Sequence, residues 1–232
     1  MTPTQTCKVL PPPSTLVGII HTRSGLRQAL ALRRQDLDLL EIRVDAFADA
    51  PNPVLSALPK LKIPLLITVR HPLEGAVQRL SPSSRRELFH RFLPFATLID
   101  LELRCARQFA PLIKEAHARG IGVVLSHHDF TRTPGTQRLH ELAGLARRLE
   151  GDLFKVATTA ETPEDIARLL GFLCGEKRIP LSVMGMGRFG KVSRLLFAQA
   201  GSRLNYGFLD KAGLKGQWPA SLLKLRLAEL EG

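Results

Sequence analysis

The chain reads as a single-domain (β/α)8 barrel. Eight short apolar runs rich in β-branched residues alternate with longer segments whose apolar residues recur at three- and four-residue spacing. That is the pattern of strands joined by helices in right-handed parallel crossovers. The 232 residues match the size of one such barrel, and no linker or shift in composition divides them. An open doubly wound sheet is the competing architecture.

The units follow in order. Leu16–Ile20 is the first strand, and Ser24–Arg34 follows with helical spacing. Leu39–Val44 alternates charged and apolar residues; Pro53–Leu61 after it is the weakest helix candidate. Pro64–Val69 leads to a helix over Ser83–Phe92, and Thr97–Leu103 to one over Ala106–Arg119 that Gly120 should stop. Gly122–Ser126 precedes Thr136–Leu149. Asp152–Ala157 precedes Pro163–Leu173, where Thr162, Pro163 and Asp165 form a helix-start signature and Gly175 a stop. Pro180–Met184 is followed by Lys191–Ala200, and Leu204–Leu209 by a last helix over Ala220–Leu230, with Pro219 just before it.

Composition narrows the function classes. Charged residues make up 23% of the chain and mean hydropathy is +0.02. No run approaches the roughly 20 apolar residues of a membrane span. Residues 1–13 are polar and proline-rich without the apolar core of a secretory signal, so a short loose leader and a cytoplasmic protein are expected. Cys7, Cys105 and Cys174 are odd in number and far apart, which argues against a disulfide framework or a cysteine metal site. The net charge of +12 favours anions. Its basic residues are spread along helices, as in Arg85-Arg86, Arg147-Arg148 and Lys224-Leu-Arg226, with one Tyr and one Trp in the chain. A solvated basic face is expected rather than specific nucleic-acid binding.

Barrels gather their functional groups at the C-terminal ends of the strands, where this chain places its unusual residues. In the second strand, alternation puts Glu41, Arg43 and Asp45 on one face and Leu40, Ile42 and Val44 on the other, so the charged face should point inward. A parallel strand covered on both sides has no solvated face, and buried charges must be paired or serve a ligand. Arg70 ends the third strand with Glu74 four residues on, and Asp100 and Glu102 share a face of the fourth. The fifth ends Ser126-His-His-Asp-Phe130, a strand-end histidine beside a carboxylate and a candidate general acid or base. His127 and His128 should point to opposite faces, which argues against a shared metal ion. Lys155 lies amid apolar residues of the sixth strand; a buried lysine is paired or neutral, and a neutral amine attacks carbonyls. Gly185, Gly187 and Gly190 fit the G-x-G-x-x-G pattern, with Asp210 twenty residues on. Too little chain follows for a dinucleotide fold, so an anion site at a helix start, aided by Arg194, is the expectation.

Together these motifs resemble the type I 3-dehydroquinate dehydratases. The matching stretches are Glu41-Ile-Arg-Val-Asp45, Thr68-Val-Arg70 with Glu74, Asp100-Leu-Glu102, Ser126-His-His-Asp-Phe130 with Thr133-Pro134, Asp152-Leu-Phe-Lys155, Met186-Gly187 with Gly190, Ser193-Arg194, and Gly216-Gln217. The resemblance implies a barrel, often a homodimer, that needs no cofactor or metal and converts 3-dehydroquinate to 3-dehydroshikimate plus water in chorismate and aromatic amino acid biosynthesis. It implies Lys155 as the imine-forming residue, His128 as the proton-transfer group and Glu74 as its acidic partner. Glu41, Arg43 and Arg70 would hold substrate hydroxyls and shape the pocket, Arg194 would grip the carboxylate, and Gln217 would belong to the lid. Arg43, Arg70 and Arg194 are expected to keep Lys155 neutral by repulsion. The lid departs from the family's usual Ala-Ser-Ala-Pro-Gly-Gln: Gly213 stands where a serine is common and Lys215 where proline is. That keeps open a diverged imine-forming lyase for a related hydroxyketo acid, or a catalytically silent anion-binding paralogue.

Overall fold

The computed structural model describes residues 10–231. In chain order its elements are β1 (Thr15–Ile20), α1 (Arg23–Ala31), β2 (Leu39–Arg43), α2 (Asn52–Ala57), β3 (Leu65–Thr68), α3 (Pro82–Phe92), β4 (Leu98–Glu102), α4 (Ala110–Ala118), β5 (Gly122–Asp129), α5 (Thr136–Arg148), β6 (Leu153–Thr159), α6 (Pro163–Gly175), β7 (Leu181–Met186), α7 (Gly190–Gln199), β8 (Leu204–Phe208), β9 (Trp218–Pro219) and α8 (Ala220–Glu231). All ladders are parallel, in the order β7-β6-β5-β4-β3-β2-β1-β8-β9. The expected strands and helices are all present.

Alternation sorts the strand residues into two cores. Leu40, Ile42, Ile67, Val123, Val156 and Val183 face outward and pack under the helices. Val17, Leu39, Leu66, Leu98, Val124, Leu153, Met184 and Leu204 face inward and fill the barrel. Inward residues further along the strands rise toward the C-terminal ends, and they include the charged Glu41 and Arg43 on β2, Asp100 and Glu102 on β4 and Lys155 on β6.

The barrel closes differently at one seam. Between β7 and β8 no ladder forms among the described residues. Arg203 N donates to Leu181 O at 2.9 Å, Ser182 Oγ to Leu204 O at 2.7 Å, and Val183 N to Ser202 Oγ at 3.0 Å. Both serines are fully buried, so their hydroxyls satisfy backbone groups that a ladder would otherwise pair.

Several boundaries differ from expectation, some for clear physical reasons. α4 starts at Ala110 rather than Ala106, because Pro111 lacks an amide hydrogen and fits only a first turn. β5 and β6 run on to Asp129 and Thr159, since the ladder pairs Ser126 with Lys155 and Asp129 with Thr158. Polar residues read as loop there are strand, which holds them rigidly. The two-residue β9 pairs Gly207 with Trp218. A Cβ on Gly207 would lie 2.5 Å from Ala220 Cα, so glycine lets α8 begin directly against β8. Of the expected leader, residues 1–9, including Cys7, lie outside the described residues. Its end is fastened: the Pro11 and Pro12 carbonyls accept from Arg203 Nη1 and Thr15 Oγ1.

Candidate active site

One cavity of about 140 Å³ opens at the C-terminal ends of the strands, and all eight candidates line it: Glu41, Arg43, Arg70, Glu74, His128, Lys155, Arg194 and Gln217. Strand register explains the convergence. Lys155 on β6 sits beside Ser126 on β5, and His128 is two residues further on, so both side chains point inward at successive heights.

Lys155 is only 4% exposed. Its Nζ lies 2.9 Å from Asp100 Oδ2, 3.8 Å from Glu41 Oε1 and 4.1 Å from the centre of the Tyr206 ring. Its nearest ionic partners are thus carboxylates rather than the guanidiniums expected around it. Burial alone would raise the Asp100 carboxyl, but the Arg70 and Lys155 charges override it and hold it well below the usual range.

Arg70 is the hub of the buried charges. Nη1 and Nη2 donate to the two oxygens of Asp100 at 2.9 and 3.1 Å, and Nη1 also reaches Glu102 Oε1 at 3.0 Å and Ser126 Oγ at 2.8 Å. Its guanidinium is thus spent largely on fixing acids. Arg43 is clamped by Asp45, with bonds of 3.0 and 2.9 Å, and donates to Gly75 O. Glu41 accepts from Thr68 Oγ1 at 2.8 Å.

His128 Nδ1 lies 3.0 Å from Glu74 Oε2, the same oxygen that accepts its backbone amide. The carboxylate expected beside it from the sequence, Asp129, turns away and caps the loop through Thr131 and Arg132. Burial and the neighbouring Glu102 push Glu74 up to about 7. Burial, with the charges of Arg70 and Lys155, pulls His128 well below its ordinary value, so the ring is neutral. When Glu74 is ionised it takes the Nδ1 proton as a hydrogen bond, leaving the Nε2 lone pair free as a base. When Glu74 is protonated it donates to Nδ1, and Nε2 carries the hydrogen instead. His127 does not line this cavity and instead borders a separate cleft with Leu142 and Leu145.

Arg194 is 3% exposed, and among the described residues no carboxylate pairs with it. It donates to the carbonyls of Gly185, Gly190, Tyr206 and Gly216, and burial lowers it to about 10. A buried cation held only by carbonyl dipoles calls for an anion. The glycines of this turn serve packing: a Cβ on Gly190 would meet the Gly216 backbone at 2.8–3.2 Å, and Gly216 has φ +87°. Asp210, the fingerprint's acidic residue, instead accepts from Thr22, the N-cap of α1. In the loop after β8, Gln217 Oε1 accepts from the Gly213 and Leu214 amides, while Lys215 is exposed.

Three residues escaped the sequence reading. Tyr206 has inward parity on β8, a signal that was there to read. His21 lines the cavity just past the end of β1, where no pattern marks it. Arg85, expected on the solvated basic face, is 1% exposed. It shares a helical stripe with Leu88, Phe89 and Phe92, and that position on the apolar face is what gives it away.

A parallel β/α barrel with a buried lysine, a glutamate-backed imidazole and a guanidinium lacking a carboxylate partner, all around one pocket, is a barrel enzyme suited to a small anionic substrate. The chain belongs to the type I 3-dehydroquinase family, whose profile matches residues 17–230. It is 32% identical over 219 residues to the 3-dehydroquinate dehydratase of Latilactobacillus sakei, covering 88% of this chain and 89% of that one. The crystal structure of 3-dehydroquinate dehydratase from Geobacillus kaustophilus superposes with a TM-score of 0.84 at 27% identity, over 94% of this chain and 91% of the other. The type I enzyme from Clostridium difficile, solved with covalent modified comenic acid, gives 0.84 at 26% identity, over 95% and 92%.

Proposed function

We propose that this enzyme is a 3-dehydroquinate dehydratase that works through an imine on Lys155. The observation that carries the reading is the convergence of Lys155, His128 with Glu74, and Arg194 on a single cavity. The covalent modified comenic acid in the Clostridium difficile relative supports a pocket nucleophile of this kind.

The chemistry follows from the charges. Arg194 would bind the substrate carboxylate and orient the ketone toward Lys155. The ammonium must lose a proton before it attacks; the neutral His128 ring, open to the same cavity, can take it. The amine adds to the carbonyl, His128 returns the proton to the departing hydroxyl, which leaves as water, and a protonated imine forms beside a neutral ring. This ion has the charge of the ammonium it replaces, so Asp100 and Glu41 are already placed to stabilise it. The imine withdraws electrons and acidifies the neighbouring C–H. His128 removes that proton and then protonates the departing hydroxyl, giving a conjugated system and a second water. Hydrolysis of the imine releases 3-dehydroshikimate and restores the amine. Net, one water is lost from the substrate.

A single catalytic domain, a cytoplasmic location, a homodimer and a place in aromatic amino acid biosynthesis belong to the same reading. The family match favours 3-dehydroquinate over a related hydroxyketo acid and over a silent binding role.

Adding protein to 3-dehydroquinate should produce enone ultraviolet absorbance. Borohydride with substrate should add mass to the wild-type protein and none to Lys155→Ala; no adduct on the wild type would falsify the imine. Arg194→Met should raise KM about 10- to 100-fold, the worth of a charge-assisted contact, with kcat changed far less. A large fall in kcat at unchanged KM would remove Arg194 from carboxylate binding.

A further inference from the structure

We propose that Arg85, on α3 outside the barrel wall, is a positioning residue of the active site, holding Glu102 so that Glu102 in turn fixes Arg70 and the turn that carries Glu74. The proposal rests on the reading of Lys155 and His128 given above.

The geometry is a chain of contacts crossing the wall. Arg85 is fully buried, and each of its guanidinium nitrogens has an acceptor. Nε donates to Val69 O at 2.9 Å, Nη1 to Cys105 Sγ at 3.3 Å, and Nη2 to Glu102 Oε2. The other oxygen of Glu102 faces the barrel. There it accepts from Arg70 Nη1 at 3.0 Å and from the His71 amide at 2.8 Å. Arg70 passes the constraint to Asp100, which holds Lys155. His71 passes it along the turn, where its carbonyl accepts from the Glu74 amide at 2.9 Å, and Glu74 holds His128. Both halves of the catalytic pair therefore hang on one carboxylate, whose outer oxygen is gripped by Arg85.

Charge reinforces the geometry. Glu102 is entirely buried and sits between two guanidiniums, Arg70 inside and Arg85 outside. The Glu74–His128 pair is faced by Arg70 just past the end of β3, Asp100 and Glu102 from β4, Arg104 from the following turn, Lys155 from β6 and Arg43 from β2. The neighbouring thiol of Cys105 is pushed up to about 11, so it adds no charge. Without the Arg85 cation, the negative field of Glu102 falls more fully on Glu74. Glu74 then holds its proton to higher pH, and His128 stays longer in the tautomer that cannot act as a base.

The test compares Arg85→Met, which keeps bulk and loses charge, with Arg85→Lys, which keeps the charge but cannot reach three acceptors. Turnover per folded protein, KM and the pH profile of kcat are measured. Arg85→Met should lose about 10- to 100-fold in kcat, the scale of a small misplacement of catalytic groups, with KM within a few-fold. Its acid limb, near 7 in the wild type, should move up by on the order of half a pH unit or more. Arg85→Lys should fall between the two in kcat and keep the wild-type limb. Wild-type kcat and pH profile in both variants would overturn the proposal. If Arg85→Met does not fold, Arg85→Lys decides alone: a kcat loss of about threefold or more at unchanged KM supports positioning, and wild-type kcat overturns it. Borohydride trapping separates the two readings. An adduct on the wild type but not on the variants places the fault in positioning; none on the wild type sinks the imine, and the Arg85 comparison then stands on turnover.

Discussion

Replacing His128 with alanine should cost about two to four orders of magnitude in turnover, the usual worth of a positioned acid–base group, while borohydride still traps substrate on Lys155. The two steps separate because they ask different things of the site. Imine formation needs the amine, a bound ketone and a base that water can replace slowly. Removing the C–H proton and protonating the leaving hydroxyl need one group held above the reacting carbon. His128 is held there by Glu74 at Nδ1 and by its place in β5, so the carboxylate orients the ring and sets its tautomer. Intact-protein mass after reduction should match the wild-type adduct, and a continuous absorbance assay should show the loss. Normal turnover by His128→Ala would strip the residue of its role, and loss of the adduct would move that role to the imine-forming step.

Arg70→Met should destabilise the fold by about 3–5 kcal/mol, the cost of breaking a buried ion pair from one side. For a chain of this length that lowers Tm by roughly 6–20 °C. Asp100 and Glu102 are both fully buried and take most of the Arg70 hydrogen bonds. The pH dependence has a definite sign. In the wild type, Asp100 is depressed by its cations, so its stabilisation is present above the unfolded carboxylate value and is lost only as pH falls well below it. In the variant, burial without Arg70 raises the Asp100 carboxyl, which ionises at a growing cost as pH rises from about 4 toward 7. The deficit should therefore be large at pH 7.5 and shrink toward pH 4.5. Thermal melts at the two values check it; equal melting temperatures for variant and wild type at pH 7.5 would contradict the hub assignment.

Much of this was readable from residue order because strand geometry is local. In a parallel strand covered on both faces, parity decides which side chains meet the helices and which meet the barrel interior. Glu41, Arg43, Asp100 and Glu102 fell on the inward side by counting alone, and the structure has them there. Parity also separated His127 from His128. Helix starts at Thr162 and Pro163 were legible because capping involves only neighbouring residues. The start of α4 was misplaced although Pro111 marked it, since the apolar spacing upstream of the proline mimics a helix.

Most pairing was not legible, because partners far apart in the chain meet only when the barrel curls. Glu74 was tied to His128 by the family resemblance alone; nothing local says that Lys155 finds Asp100, or that Ser182 and Ser202 stitch the seam between β7 and β8. The ordering of residue types along eight strands was enough to specify a barrel and the set of groups at its mouth, since both depend on periodicity and strand ends. The ionic partners of the lysine, the tautomer of the histidine and the burial of Arg85 depend on Coulomb interactions and desolvation at a few ångströms. Those distances exist only after closure brings β2 to β6 and the helix α3 against one another.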